Sequence, residues 1–348
     1  MRERGRSLLR GLFGTPGNAA FTLALLALAW WLLPGFFRWA IVGATWVGET
    51  RAACAPTGAC WAFVGARAKL FLVGRYPWDQ AWRPGLAFAL LVVLAWGALA
   101  GGRHAGKFLA ALVVALPPVA GVLLVGGAFG LAPVPTGDWG GLLLNVTLCF
   151  VAVLLALPMG VLLAFGRQSQ APVTRLLCVA FIEFWRGVPL LAVLFLGLVM
   201  LPLFLPAGVT LDNLIRAQVV LTLFTSAYLA EVVRGGLLGV ARGQNEAAVA
   251  LGLSATQAKL LVVLPQALRR CIGGVINIVI DLFKDTTLVS IVGLFDLMGV
   301  ITQSLRDRDW LGLATEGYVF AAVVFFICCL VMSIAGSRVE KRLNAGVR

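Results

Sequence analysis

Seven ionisable residues stand in or beside runs that are otherwise apolar: Glu183, Arg186, Glu231, Arg234, Asp281, Lys284 and Asp285. A charge at the centre of a bilayer costs about 2.5–3.5 kcal/mol even on the lenient insertion scale, so such groups persist where they have a partner or line a wet cavity. Two of the runs repeat one pattern, Glu-x-x-Arg-Gly, as EFWRG at 183–187 and EVVRG at 231–235. On a helix, positions i and i+3 share a face, so each pattern presents an acid–base pair. One reading is structural: these charges pair with one another and fix helix packing. That reading is stronger for Glu231 and Arg234, which stand nearer a span end. The other reading is a polar passage for a charged solute. Gly187 and Pro189 follow the first pair and mark a break or kink.

The elements that must carry these residues are membrane spans. The chain of 348 residues is 61% hydrophobic and 12% charged, about half the charge content of a soluble domain. A span needs about 20 apolar residues. Eight runs qualify, near 20–37, 85–101, 108–131, 139–166, 176–204, 213–235, 267–300 and 316–336. The seventh is too long for one simple span and holds Asp281, Lys284 and Asp285, so a break or a surface-lying portion is expected there. The net charge of +13 falls mostly in short segments between spans, as in positive-inside anchoring, rather than in the stripe of a nucleic-acid binder. Arg2, Arg4, Arg6 and Arg10, then GGRHAGK, GRQSQAPVTR, the 236–266 segment and the tail SRVEKRLNAGVR all fall on one side, which the rule makes cytoplasmic, with both termini there. The 38–84 loop lies opposite despite its six basic residues. Its aromatic density suits a headgroup-level or packed cap. The first run resembles a signal peptide but lacks a clear cleavage site, so it is read as an uncleaved span. PVPTGD at 133–138 divides the chain into residues 1–137, with three spans and the long external loop, and residues 138–348, with five spans.

Between the sixth and seventh runs lies GQNEAAVALGLSATQAKLLVVLP, residues 243–265. Asn245 is placed to cap a helix beginning at Glu246, and Gly252 to end it. Ser254-x-x-Gln257 opens a second helix with a capping box, ending near Pro265. Two short helices about a glycine elbow suit either a membrane surface or a socket on a partner protein. The first is mostly Ala, with little bulk to insert in lipid, which favours the partner.

This segment resembles the EAA loop of ABC importer permeases. Gly243 and Gln244 fit, then Glu246-Ala247-Ala248, three residues, Gly252, nine residues, and Val262-x-Leu264-Pro265, with Val262 where the family usually has Ile. FIEFWRGVPLLAVLF (181–195), AYLAEVVRGG (227–236) and KDTTLVSIVG (284–293) resemble the polar amino acid branch, which includes histidine, glutamate, glutamine, arginine and opine systems. GACWAFVGARAKLFLVGRYPWDQAWRP resembles the extended permeases of general L-amino acid systems. The resemblance implies an all-α polytopic membrane protein with the type I importer permease core and two short cytoplasmic coupling helices. It implies an inner-membrane subunit that moves polar L-amino acids inward by alternating access. The implied partners are an ABC ATPase dimer that binds ATP and Mg, a periplasmic binding protein that hands over substrate, and a second permease subunit in a heterodimer. An amino acid needs a cationic and an anionic partner along its path. Arg186 and Lys284 suit its carboxylate, Glu183 and Glu231 its ammonium, and Thr286, Thr287 and Ser290 either group, with Asp285 beside them.

Other chemistry finds little support. There is one histidine, His104, and no CxxC, so no metal site is expected. GGRHAGKF at 101–108 nearly fits a phosphate loop, but Phe108 stands where a magnesium-binding hydroxyl belongs and no strand precedes it. No cofactor is expected in this chain, and ATP hydrolysis falls to another subunit. A gradient-coupled transporter would use the intramembrane carboxylates but has no need of the structured helix pair. A membrane enzyme would need a base and nucleophile or paired carboxylates at one face. Cys54 and Cys60, in the loop CAPTGAC, suit a disulfide if that loop meets an oxidising compartment. The five other cysteines lie in or beside apolar runs and read as packing residues.

Overall fold

In the computed structural model, residues 11–206 and 208–344 are described. Arg2, Arg4, Arg6 and Arg10, and residues 345–348 of the basic tail, lie outside the described residues. The described chain is helical, with three isolated bridges in place of any sheet. Its main helices are α1 (Pro16–Phe37), α2 (Trp82–Ala100), α3 (Ala105–Val125), α4 (Gly141–Arg167), α5 (Pro172–Gly187), α6 (Leu190–Phe204), α7 (Asn213–Leu238), α8 (Arg242–Ala250), α9 (Leu264–Asp285), α10 (Leu297–Ser304) and α11 (Ala314–Asn344).

Six of these, α1, α2, α3, α4, α7 and α11, are long and apolar enough to cross a membrane; α5 and α6 make a seventh if the pair, bent by 102°, is one span. The bend falls at Val188 and Pro189, where proline removes a donor and pushes its neighbour out of the helical region. The long 267–300 run resolves into α9, a 3₁₀ stretch at Thr286–Val292, and α10. Asp281, Lys284 and Asp285 make the end of α9 more polar than an ordinary span.

Two compact units can be distinguished. One comprises Met1–Ala68 with Ser304–Gly317, the other Lys69–Gln303 with Tyr318–Arg348. Within the first, none of the described residues of α1 is buried, as suits a helix whose backbone is satisfied internally. The following loop packs tightly. Ala59, Cys60, Ala62 and Phe63 are buried, and Phe63 meets Trp310 at a ring separation of 5.7 Å. Arg67 pairs with Asp307, and Arg51 donates to the Leu311 carbonyl. A disulfide joins Cys54 to Cys60.

Within the second unit, α4, α7 and α9 form the centre. Leu144, Leu148, Leu194, Leu221, Leu282 and Val289 build one apolar cluster; Ala156, Leu229, Val233, Ala267 and Val275 build another. Gly160 allows α4 and α7 to approach, since a Cβ there would lie 2.8 Å from that of Leu229. Small residues at helix contacts are how spans pack without a hydrophobic driving force between them. Residues 133–138 connect α3 to α4, with Val134 and Trp139 buried beside Tyr76, Ala87 and Leu124.

Candidate functional site: a helical elbow and an ion-pair network

The elbow after α7 is built by local rules. Helix α8 ends at Ala250, and Gly252 adopts φ +90°. The Leu253 amide donates to the Ala248 carbonyl and the Gly252 amide to that of Val249, the paired bonds of a Schellman stop. Ser254 then caps the next turn. Its Oγ accepts from the Gln257 amide at 3.3 Å, and Gln257 Oε1 accepts from the Ser254 amide at 3.0 Å. The chain folds back so that α8 packs on the turn at Ala258–Val263, with Ala248 and Ala258 both buried. Gln266 Nε2 donates to Gln244 Oε1 at 3.1 Å and ties the start of α9 to α8.

Two sequence expectations need correction here. Helix α8 begins at Arg242, four residues before Glu246, and Asn245 lies inside it with Oδ1 buried and unpartnered among the described residues. The second helix does not end near Pro265. It runs from Ala255 through a π-helical turn at Ala258–Val263 into α9, where Pro265 occupies the first turn. The widened turn relieves the clash and missing donor that proline would bring to a regular helix. The elbow is therefore continuous with α9, so a displacement of the elbow is a displacement of the end of α9.

A network of charges joins α4, α5 and α7. Arg167, the last residue of α4, reaches Glu183 of α5 at 2.8 Å and Glu231 of α7 at 3.0 Å. Glu231 also pairs with Arg234 at 2.9 Å and faces Arg186 at 3.9 Å. Three helices are thus clamped around one carboxylate. The Glu-x-x-Arg-Gly repeat brings its members together, through a fifth residue that sequence reasoning did not select. Arg167 was legible only as a basic span end; its partners lie 16 and 64 positions away.

The remaining candidates form a second group at the other end of α9. Lys284 pairs with Asp281 at 2.8 Å, Thr287 donates to the Lys284 carbonyl, and Ser290 donates to that of Thr287. Asp285 is half-buried at the end of α9, and Thr286 is buried. Among the described residues, no ion pair or hydrogen bond joins this group to the network around Glu231. Thr286 belongs to a cluster not expected from sequence. Asn145 Nδ2 donates to Thr286 Oγ1 at 2.8 Å and to Asp296 Oδ2 at 3.0 Å, and Asn145 Oδ1 accepts from the Leu297 amide. Asp296 in turn accepts from the amides of Met298 and Gly299 and starts α10. The one available signal was a lone Asn in the apolar run GLLLNVTLCF. Among the described residues, no group of histidines, cysteines and carboxylates is arranged to hold a metal.

Known proteins resemble this chain both in part and over nearly its whole length. A family profile described as "Binding-protein-dependent transport system inner membrane component" matches residues 156–345. The chain is 48% identical to the inner membrane amino-acid ABC transporter permease protein YhdY of Escherichia coli, over 97% of this chain and 92% of that protein. It is 38% identical to the glutamate/glutamine/aspartate/asparagine transport system permease protein BztC of Rhodobacter capsulatus, over 96% of this chain and 92% of that one. Both likenesses include the part before α4. Among solved structures, a crystal structure of an amino acid ABC transporter with histidines aligns at a TM-score of 0.50 and 32% identity, over 58% of this chain and 92% of that one.

Proposed function

The chain belongs to the family of binding-protein-dependent transport system inner membrane components, and from that premise we propose that it is the permease subunit of an ATP-driven importer of polar L-amino acids. The family membership makes it a transport subunit and not an enzyme, and makes its helices the membrane-spanning core of an ABC importer. In the proposed assembly, residues 138–348 form the permease core and residues 1–137 an extension carrying the external loop. The protein sits in the inner membrane with both termini in the cytoplasm. A periplasmic binding protein delivers substrate outside, a second permease subunit completes a heterodimer, and ATP and Mg are bound by a separate ATPase dimer. The substrate class rests on the relatives named above.

The observation that carries the coupling reading is the continuity of the elbow with α9. Gly243, Gln244, Glu246, Ala247, Ala248, Gly252, Leu264 and Pro265 lie on a folded unit locked by the Schellman stop, the capping box and the Gln244–Gln266 bond. A socket that grips this unit and closes on nucleotide moves α9 with it. ATP then acts as any ligand does, favouring one of two states by its differential affinity. Arg167 pairs with both Glu183 and Glu231, and Arg186 faces Glu231, which supports a clamp on the cytoplasmic half of the core. Lys284, Asp285, Thr287 and Ser290 remain the substrate-facing candidates, with Thr286 held behind them by Asn145.

The test is co-purification from the native membrane. The tagged chain is expected to bring down an ATPase, and Gly252→Asp, which places a charged side chain at a left-handed elbow, to lose it while still folding. An intact chain without any ATPase would overturn the coupling reading.

A further inference from the structure

Three spans of the second unit end together in a cluster of cations. Arg342, near the end of α11, donates through Nη2 to the Ala100 carbonyl at 3.0 Å and through Nη1 to that of Leu99. These are the last carbonyls of α2, which have no partner within their own helix. Arg338, Lys341 and Arg342 are spaced i, i+3 and i+4, so they share one face of α11, and Arg342 turns that face to the end of α2. Gly101 follows with φ +72°, a backbone region that favours glycine, and a Cβ there would lie 2.7 Å from Arg342 Nη1, so a larger residue would shift the guanidinium. The chain then turns through Arg103 and His104 into α3, with Lys107 in its first turn. A Cβ at Gly97 would sit 2.5 Å from the Phe108 ring, so that ring fills a notch in α2 and holds the first turn of α3 beside the last turn of α2.

The result is four exposed cations, Arg103, Lys107, Arg338 and Lys341, on two segments joined by a fifth, Arg342, that is committed to carbonyls. Residues 99–107 and 337–343 hold one carboxylate, Glu340. It faces elsewhere: a Cβ at Gly273 of α9 would be 3.5 Å from both of its oxygens. No salt bridge among the described residues involves the four cations. They lie where α2 and α11 leave the apolar layer and α3 enters it.

We propose that this cluster is a binding site for the headgroup of an anionic phospholipid, seated where α2, α3 and α11 meet the membrane–water boundary. Ordinary positive-inside anchoring asks only for basic residues in the connecting segments. Here two segments more than 200 positions apart are bonded together so that their cations converge while the nearby acid is turned to another helix. A lipid phosphate is the anion present at that depth, arginine meets it with paired donors, and basic sites between spans are suited to such headgroups.

The test reconstitutes the full chain in bilayers and compares spin-labelled phosphatidylglycerol with spin-labelled phosphatidylcholine at the protein boundary. The native chain is expected to favour phosphatidylglycerol by roughly fivefold or more, as about 1 kcal/mol from each of several cations allows. Arg103→Gln/Lys107→Gln/Arg338→Gln should bring the ratio close to one. Arg175→Gln/Arg269→Gln/Arg270→Gln removes the same charge from exposed positions elsewhere and should keep the preference. Arg103→Lys/Arg338→Lys, which retains the cations, should keep most of it. No preference in the native chain overturns the proposal without reference to any variant. Equal loss in the two triple variants overturns it as well, because the preference would then belong to net charge and not to this site.

Discussion

Arg167 and Glu231 meet at 3.0 Å between the end of α4 and the third quarter of α7. Around Glu231, whose side chain is 16% exposed, stand Arg167, Arg186 and Arg234. The carboxylate balances more than one cation, so its loss leaves like charges facing each other in a partly buried place. Breaking a buried pair costs about 3–5 kcal/mol, and exposed pairs about 0–1.

Glu231→Gln is therefore expected to lower stability by roughly 1–3 kcal/mol, between those limits. Glu183→Gln, at a side chain 53% exposed, should cost less than about 1 kcal/mol. Thermal unfolding of the two variants in one detergent checks the order. If the network is a clamp, Glu231→Gln lowers maximal uptake with little change in the substrate concentration at half-maximum. A large rise in that concentration with unchanged stability would return Glu231 to the substrate path.

The elbow gives a graded series. Gly252 stands at φ +90° with nothing within 4 Å of where a Cβ would be, so a substitution there is felt through the backbone and not through a clash. A side chain in the left-handed region costs about 1–2 kcal/mol, least for Asn, and more for a β-branched residue. ATP-driven uptake is expected to fall in the order Gly, Gly252→Asn, Gly252→Val. Ser254→Ala, which removes the cap, should cost about 1 kcal/mol of elbow stability and fall between the first two. Nucleotide hydrolysis by the complex, measured alongside, should lose its stimulation by substrate in the same order.

What could be read from the sequence was what is decided within a few residues. Gly252, Ser254 and Gln257 announce a stop and a start, and the structure builds both. Asn245 has the right type for a cap, yet the backbone is already helical from Arg242, so its local preference is overridden. Pro265 reads as an end, but a π-helical turn absorbs it, and nothing in the composition of AKLLVV distinguishes that turn from a regular one. The bend after Gly187 was legible because proline acts on its immediate neighbour. The partnership of Arg167 with Glu183 and Glu231, and of Asn145 with Thr286 and Asp296, depends on which helices lie side by side. No spacing within one segment reports that.

Asn145 holds the start of α10 and the 3₁₀ stretch after α9 to α4 with three hydrogen bonds. Asn145→Ala leaves the Leu297 amide and one Asp296 oxygen without that partner, and an unsatisfied buried group costs about 1–3 kcal/mol. Amide exchange at residues 296–304 is expected to speed up in this variant, while exchange in α8 stays as it was. Equal acceleration in both places would mean global unfolding rather than a local anchor.

The disulfide between Cys54 and Cys60 supplies a test of topology as well as of stability. A bridge persists in an oxidising compartment and not in the cytosol, so a bridge found in protein taken from cells would place the 43–67 segment outside. Of seven cysteines, Cys149, Cys178, Cys271, Cys328 and Cys329 are free. Denatured protein taken directly from cells with thiols blocked should therefore carry five alkyl groups before reduction and accept two more after it. In the loop-entropy description, closing so short a loop is worth about 2 kcal/mol. Cys54→Ser/Cys60→Ser is thus expected to raise proteolytic nicking within 43–67 and to leave α4, α7 and α9 intact. Seven reactive thiols in the unreduced protein would place that loop in a reducing compartment and reverse the orientation of the first two spans.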